Sequence, residues 1–120
     1  MPATLEGTVR VDLRAAWWAA FTRLLQAALD FKADSEEGRF PDPSELAARA
    51  KDLGRFERYA QSQRFSPPIA KLTRTEERLW TSSGRYARAC EDGAPSEQWA
   101  ALVSLNDAAL SFPALPTAGV

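Results

Sequence analysis

Histidine is absent from the 120 residues, and cysteine and methionine occur once each. Without an imidazole no Ser-His-Asp or Cys-His arrangement can form, and the side chain that most often moves protons near neutral pH is missing. The lone Cys90 cannot close an internal disulfide, so nothing marks an oxidising compartment, and it has no second thiol at zinc-ligand spacing. Long apolar runs are lacking too. The longest, Ala15 to Phe21, falls far short of the roughly 20 residues a membrane span needs, and "MPATLEGTVRVDL" has no basic segment followed by an apolar one. No glycine-rich loop follows a strand pattern. The acidic "DSEEG" lacks the alternating carboxylates of a calcium loop, and adjacent acids such as Glu76 with Glu77, or Glu91 with Asp92, diverge on a helix. These absences predict a cytoplasmic, non-enzymatic protein with no cofactor, no metal and no membrane association.

The residues that are present predict an ordinary folded domain. Hydrophobic residues make up 45% and charged residues 26%, well away from a disordered profile, and the length suits one domain with one core. Arginine outnumbers lysine twelve to three. That bias, with abundant alanine, points to a GC-rich genome, bacterial or viral.

Glycine and proline divide the chain into four helical stretches, over about 10–35, 43–61, 73–91 and 95–110, followed by an extended tail over 111–120. In the first, Leu13, Trp17, Ala20, Phe21, Leu24, Ala28 and Phe31 recur every three or four residues, which is a buried helical face. Its opening, "TVRVDL", alternates and reads equally as a short extended arm, with Asp12 capping the helix. "FPDPSEL" predicts a second helix with Asp42 as cap, Pro43 in the first turn and Glu45 reaching back. Its apolar face is Leu46, Ala50, Leu53, Phe56 and Ala60, and Gly54 lies where another helix can approach closely. "FSPPIA" ends that pattern, and Thr73 with Glu76 forms a second capping pair. The third helix is expected to bury Leu79, Trp80, Tyr86, Ala87 and Cys90, with a kink or break at Thr81–Gly84 left open by "TSSG". The fourth is expected to bury Trp99, Leu102, Val103 and Leu110. The fold class is therefore all-α, a small four-helix bundle-like domain around a long central N-terminal helix.

Two surfaces stand out as candidates for binding. Neighbouring residues on a helix point about 100° apart, so Trp17 and Trp18 cannot share one face. Trp18 heads a second stripe with Thr22, Leu25 and Leu29, and a helix this apolar needs cover on two sides. If the companion helices do not supply it, Trp18, Leu25 and Leu29, with Phe112 and Leu115 of the tail, form an apolar interface. The other surface is basic. From Arg49 to Arg88 ten basic residues face four acidic ones, although the net charge is −1. Lys51, Arg55 and Arg58 form one stripe, and Arg74, Arg78, Arg85 and Arg88 form another, each opposite its helix's apolar face. Packed side by side, the stripes would merge into one positive surface. Asp30, Asp34 and Glu37 gather at the end of the first helix, where they suit a basic partner or close on the chain itself.

A helix-turn-helix reading fails on the residues. The candidate recognition helix, 96–110, carries no lysine or arginine and offers mainly Gln98 and Asn106 beside Glu97 and Asp107. The sequence thus predicts a non-catalytic protein–protein interaction module or assembly subunit, with a protein partner or self-association. The competing reading is a small nucleic-acid-binding or regulatory protein that uses the basic stripes.

Overall fold

A computed structural model describes residues 12–112 and shows an all-α fold of four helices, with no strand among the described residues. They are α1 (Leu13–Glu36), α2 (Ser44–Ser62), α3 (Arg74–Asp92) and α4 (Pro95–Leu110), with a 3₁₀ turn at Ile69–Lys71. Each packs on the next, and α4 returns against α1. The possible arm before Asp12 and the tail beyond Phe112 lie outside the described residues.

Local chemistry accounts for most helix ends. Asp12 caps α1 by accepting from the Ala15 N–H at 3.1 Å. At its other end Gly38, at φ 80°, donates to Ser35 O, and Arg39 donates to Asp34 O, the paired bonds of a Schellman turn. The Thr73–Glu76 capping box opens α3 as expected, with both reciprocal bonds made. The start of α2 differs from expectation. Pro43 is the flanking cap and Ser44 the first helical residue, so Glu45 stands one position too early to reach back. Asp42 instead accepts from the Ser44 hydroxyl at 2.6 Å and its backbone N–H at 2.9 Å, and these bonds hold its carboxyl below the usual range. Glu45 accepts from Arg49 Nε at 2.9 Å.

The end of α2 repeats the Schellman pattern without glycine. Arg64 sits at φ 61° and donates to Gln61 O, while Phe65 donates to Ala60 O. An arginine in the left-handed region carries a Cβ penalty of about 1 kcal/mol that glycine lacks. Replacing Arg64 by glycine should therefore stabilise the protein by about 0.5 kcal/mol, after the greater unfolded-state freedom of glycine is set against the relief. Urea denaturation checks this, and a lower midpoint for R64G would show that the arginine side chain holds this turn.

Nothing breaks α3. Ser82 and Ser83 are buried, and the Ser83 hydroxyl donates to Trp80 O at 2.7 Å, so the helix absorbs its own polar groups and runs on through Gly84. These small residues let helices approach closely. A Cβ placed on Gly54 would lie 2.6 Å from Ala87 Cβ, which makes Gly54 the close-packing position between α2 and α3 that the sequence suggested.

The core joins Trp17, Phe21, Leu24, Ala28 and Phe31 of α1 to Leu46, Ala50 and Leu53 of α2, Leu79 of α3, and Leu105, Ala108 and Ala109 of α4. The face of α4 is the main correction to the sequence reading. It buries Ala101, Leu105, Ala108 and Ala109, while Trp99, Val103 and Leu110 stand exposed and Leu102 is half-buried. Both sides of this helix are apolar, and the alanine-rich side fits the narrow space between α1 and α3 that larger side chains would hold open. On α3, Trp80, Tyr86 and Cys90 are half-buried rather than enclosed.

Candidate functional site

The tryptophan doublet leads into the interior. Trp17 is wholly buried, its ring stacked on Phe21 at 5.1 Å, and its Nε1 donates to Glu57 Oε2 at 2.7 Å. The same oxygen accepts from Trp80 Nε1 at 2.6 Å. One carboxylate oxygen of α2 thus joins α1 and α3, and it satisfies two indole donors that enclosure would otherwise strand. The sequence reading missed Glu57, whose signal was only its place one turn after Leu53 on the inner side of α2. With one oxygen held by two indoles, its evident task is to fix three helices in register.

Trp18 packs edge-on against Trp17 and Phe21, at centroid distances of 4.9 and 6.3 Å. Like Leu25 and Leu29 it is half-buried against the core. Thr22 is exposed. Phe112 is buried, with its carbonyl accepting from Lys32 Nζ, so it belongs to the core of this chain and is removed from the expected interface. Leu115 lies outside the described residues. The second stripe of α1 is therefore largely covered from within.

The large exposed apolar side chains lie elsewhere. Trp99 is 68% exposed, and Val103 and Leu110 are 41% exposed each, on one side of α4. Their spacing of four and then seven residues aligns them on one side of the helix, about 17 Å from end to end. Phe40, in the turn between α1 and α2, and Tyr59 are also exposed but stand apart from this line in sequence.

The basic residues divide by helix. On α2, Arg55 pairs with Asp52, Arg58 with Glu91 of α3, and Arg49 with Glu45 and Asp52. Lys51 is exposed without an acidic partner among the described residues. On α3, Arg74, Arg78, Arg85 and Arg88 are all exposed and none forms an ion pair with a described residue. Arg78 donates to Ser111 Oγ at 3.0 Å. A groove of about 180 Å³ between α2 and α3 brings Arg58 and Arg88 together, with Glu57 and Glu91 beside them. The two stripes thus approach each other in this groove, and there the α2 member is already paired with Glu91. The acids closing α1 also pair at home, Asp34 and Glu37 with Arg39 and Glu36 with Lys32.

Between α3 and α4 runs a wider groove of about 460 Å³, floored by Ala89, Ala100 and Ala101 and bordered by Arg85, Arg88, Asp92 and Glu97. The chain matches no family model, curated protein or solved structure. Its surface chemistry alone must therefore suggest a function. Cys90 is half-buried, and burial together with its hydrogen bond to Tyr86 pushes the Tyr86 phenol up to about 12. That pair lies on the same side of α3 as the buried Leu79, Ser83 and Ala87. No helix of the described residues is long and apolar enough to cross a membrane.

Proposed function

We propose that the chain is a non-catalytic helical interaction module that binds a protein partner through the outer face of α4. One observation carries this reading: a tryptophan, a valine and a leucine are exposed along a single helix face, although the same helix has already met the core with its alanine side. Solvent-exposed tryptophan is unfavourable to keep and is among the residues most enriched where partners anchor. The free arginines of α3 support a second reading, nucleic-acid binding, but the pairing of Arg55 and Arg58 leaves that surface with only one of the two expected stripes.

The test is to replace Trp99 by glutamate. Because the side chain makes little contact with the core, helix content should be unchanged and stability should fall by less than about 1 kcal/mol. Capture of a partner by crosslinking in producing cells should fall roughly tenfold, the loss typical of a truncated interface anchor. Unfolding of the W99E protein, or undiminished capture, would remove α4 as the binding face.

A further inference from the structure

We propose that the outer face of α4 pairs with the same face of a second copy of this chain, the two helices running antiparallel about a two-fold axis between residues 104 and 105. The proposal rests on that face being the interaction surface. Trp99, Val103, Asn106 and Leu110 follow one another at spacings of four, three and four residues, which at 100° per residue holds them within a band of about 60°. That alternation is the seam of a coiled coil, in which each side chain enters a gap between residues of the facing helix. A two-fold pair also requires a surface that complements itself. Here Trp99 with Leu110, and Val103 with Asn106, share one midpoint along the helix. Antiparallel pairing therefore seats the tryptophan of each copy against the leucine of the other, and the valine against the asparagine.

Charge fixes the direction. Glu97 and Arg78 are exposed and form no ion pair among the described residues. They lie at opposite ends of the row, since Glu97 stands just before Trp99 and Arg78 donates to Ser111 beside Leu110. Antiparallel pairing sets Ser111 level with Gln98 of the second copy, so Arg78 comes to the end that carries the other Glu97, and the symmetry repeats the contact. Parallel pairing would set Glu97 beside Glu97 and Arg78 beside Arg78. The remaining acid of α4, Asp107, comes level with the uncharged Leu102. Asn106 gives independent support. It is half-buried, and its Oδ1 is enclosed with no hydrogen-bond partner among the described residues. In the pair the two copies of Asn106 stand three residues apart along the helices, about 4.5 Å, beside the two-fold axis. A turn of each amide brings Oδ1 out to accept from the Nδ2–H of the other, the contact by which a single asparagine sets register in paired helices at a cost in strength.

Sedimentation equilibrium of the full chain, from about 1 µM to about 1 mM, tests this. A row about 17 Å long on one helix is a smaller footprint than the ~800 Å² per partner of a standard interface, so a reversible dimer with a Kd on the order of 100 µM is expected. W99E and V103E should each weaken it at least about tenfold while keeping wild-type helix content. R78E and E97R should each weaken it about threefold, and R78E/E97R should recover most of that loss. Within one chain the Ser111 that Arg78 reaches lies roughly 20 Å along α4 from Glu97, so the recovery can arise only between copies. A strict monomer at the highest concentration, a dimer that W99E leaves intact, or no recovery in R78E/E97R would overturn the proposal. If the chain stays monomeric while partner capture in producing cells still depends on Trp99, self-pairing fails and the interaction reading stands. If capture and self-association are both indifferent to Trp99, both fail.

Discussion

Replacing Glu57 by alanine is expected to destabilise the protein by about 3 kcal/mol, because two hydrogen bonds to a charged acceptor are lost at ~1.5 kcal/mol each. The melting temperature should fall by on the order of 10 °C for a domain of this size. The two indoles are not equally harmed. Trp80 is half-buried and can recover a water, but Trp17 is fully enclosed and its N–H is left with nothing. Glu57→Gln keeps an acceptor oxygen at the same place and should lose about half as much. Glu57→Leu keeps the bulk but no acceptor, so it should be as harmful as alanine. Thermal denaturation gives the magnitudes, and the indole N–H resonances of Trp17 and Trp80 should move in every variant. A Glu57→Ala protein within about 0.5 kcal/mol of the parent would mean that the bridge does not hold the helices together in solution.

Gly54→Ala should also destabilise, and here the sign is decisive. On an exposed helix face the substitution gains ~1 kcal/mol from propensity alone. At Gly54 the new methyl would lie 2.6 Å from Ala87 Cβ, against the roughly 3.5 to 4 Å that two carbons prefer. Relieving that contact moves α3 off α2 by about 1 Å. Overpacking of this kind costs about 1–3 kcal/mol, so a net loss of about 1 kcal/mol is expected for alanine and of ~3 kcal/mol or more for Gly54→Leu. Removing the opposing methyl tests the cause directly, since Gly54→Ala combined with Ala87→Gly should recover most of the clash. Gly54 and Glu57 lie one turn apart on α2, and the close approach at the first places Trp80 within reach of the second. The Gly54→Leu protein should therefore disturb the Trp80 indole resonance as well. Stabilisation by Gly54→Ala would show that the two helices stand further apart than this.

The sequence by itself determined what depends on neighbours a few residues away. The Thr73–Glu76 box, Gly38 at the end of α1 and Pro95 at the start of α4 each act within one helical turn, so their positions are readable without a fold. The inner face of α1 was readable for the same reason, because one stripe of large apolar side chains dominates it. Even locally there was a limit: a one-residue shift at Pro43 replaced the expected reach of Glu45 by the bonds of Ser44 to Asp42.

Tertiary structure decided everything that required a choice between comparable local options. Glu57 could not be singled out because its partners are 40 and 23 residues away, and only packing of three helices brings them to one oxygen. The arginines looked alike in sequence, yet the crossing of α2 and α3 gave Arg58 an acid on another helix and left Arg85 and Arg88 with none among the described residues. The face of α4 is the clearest case. Both of its sides are apolar, so hydropathy could not rank them, and the spacing of α1 and α3 admitted the alanines and turned Trp99 outward. In the doublet that faced two ways, Trp17 went to the core and Trp18 found most of its cover on the same rings. The aligned row of exposed apolar side chains lies on α4, because burial follows the shape of the space available as well as the hydrophobicity of the residues that compete for it.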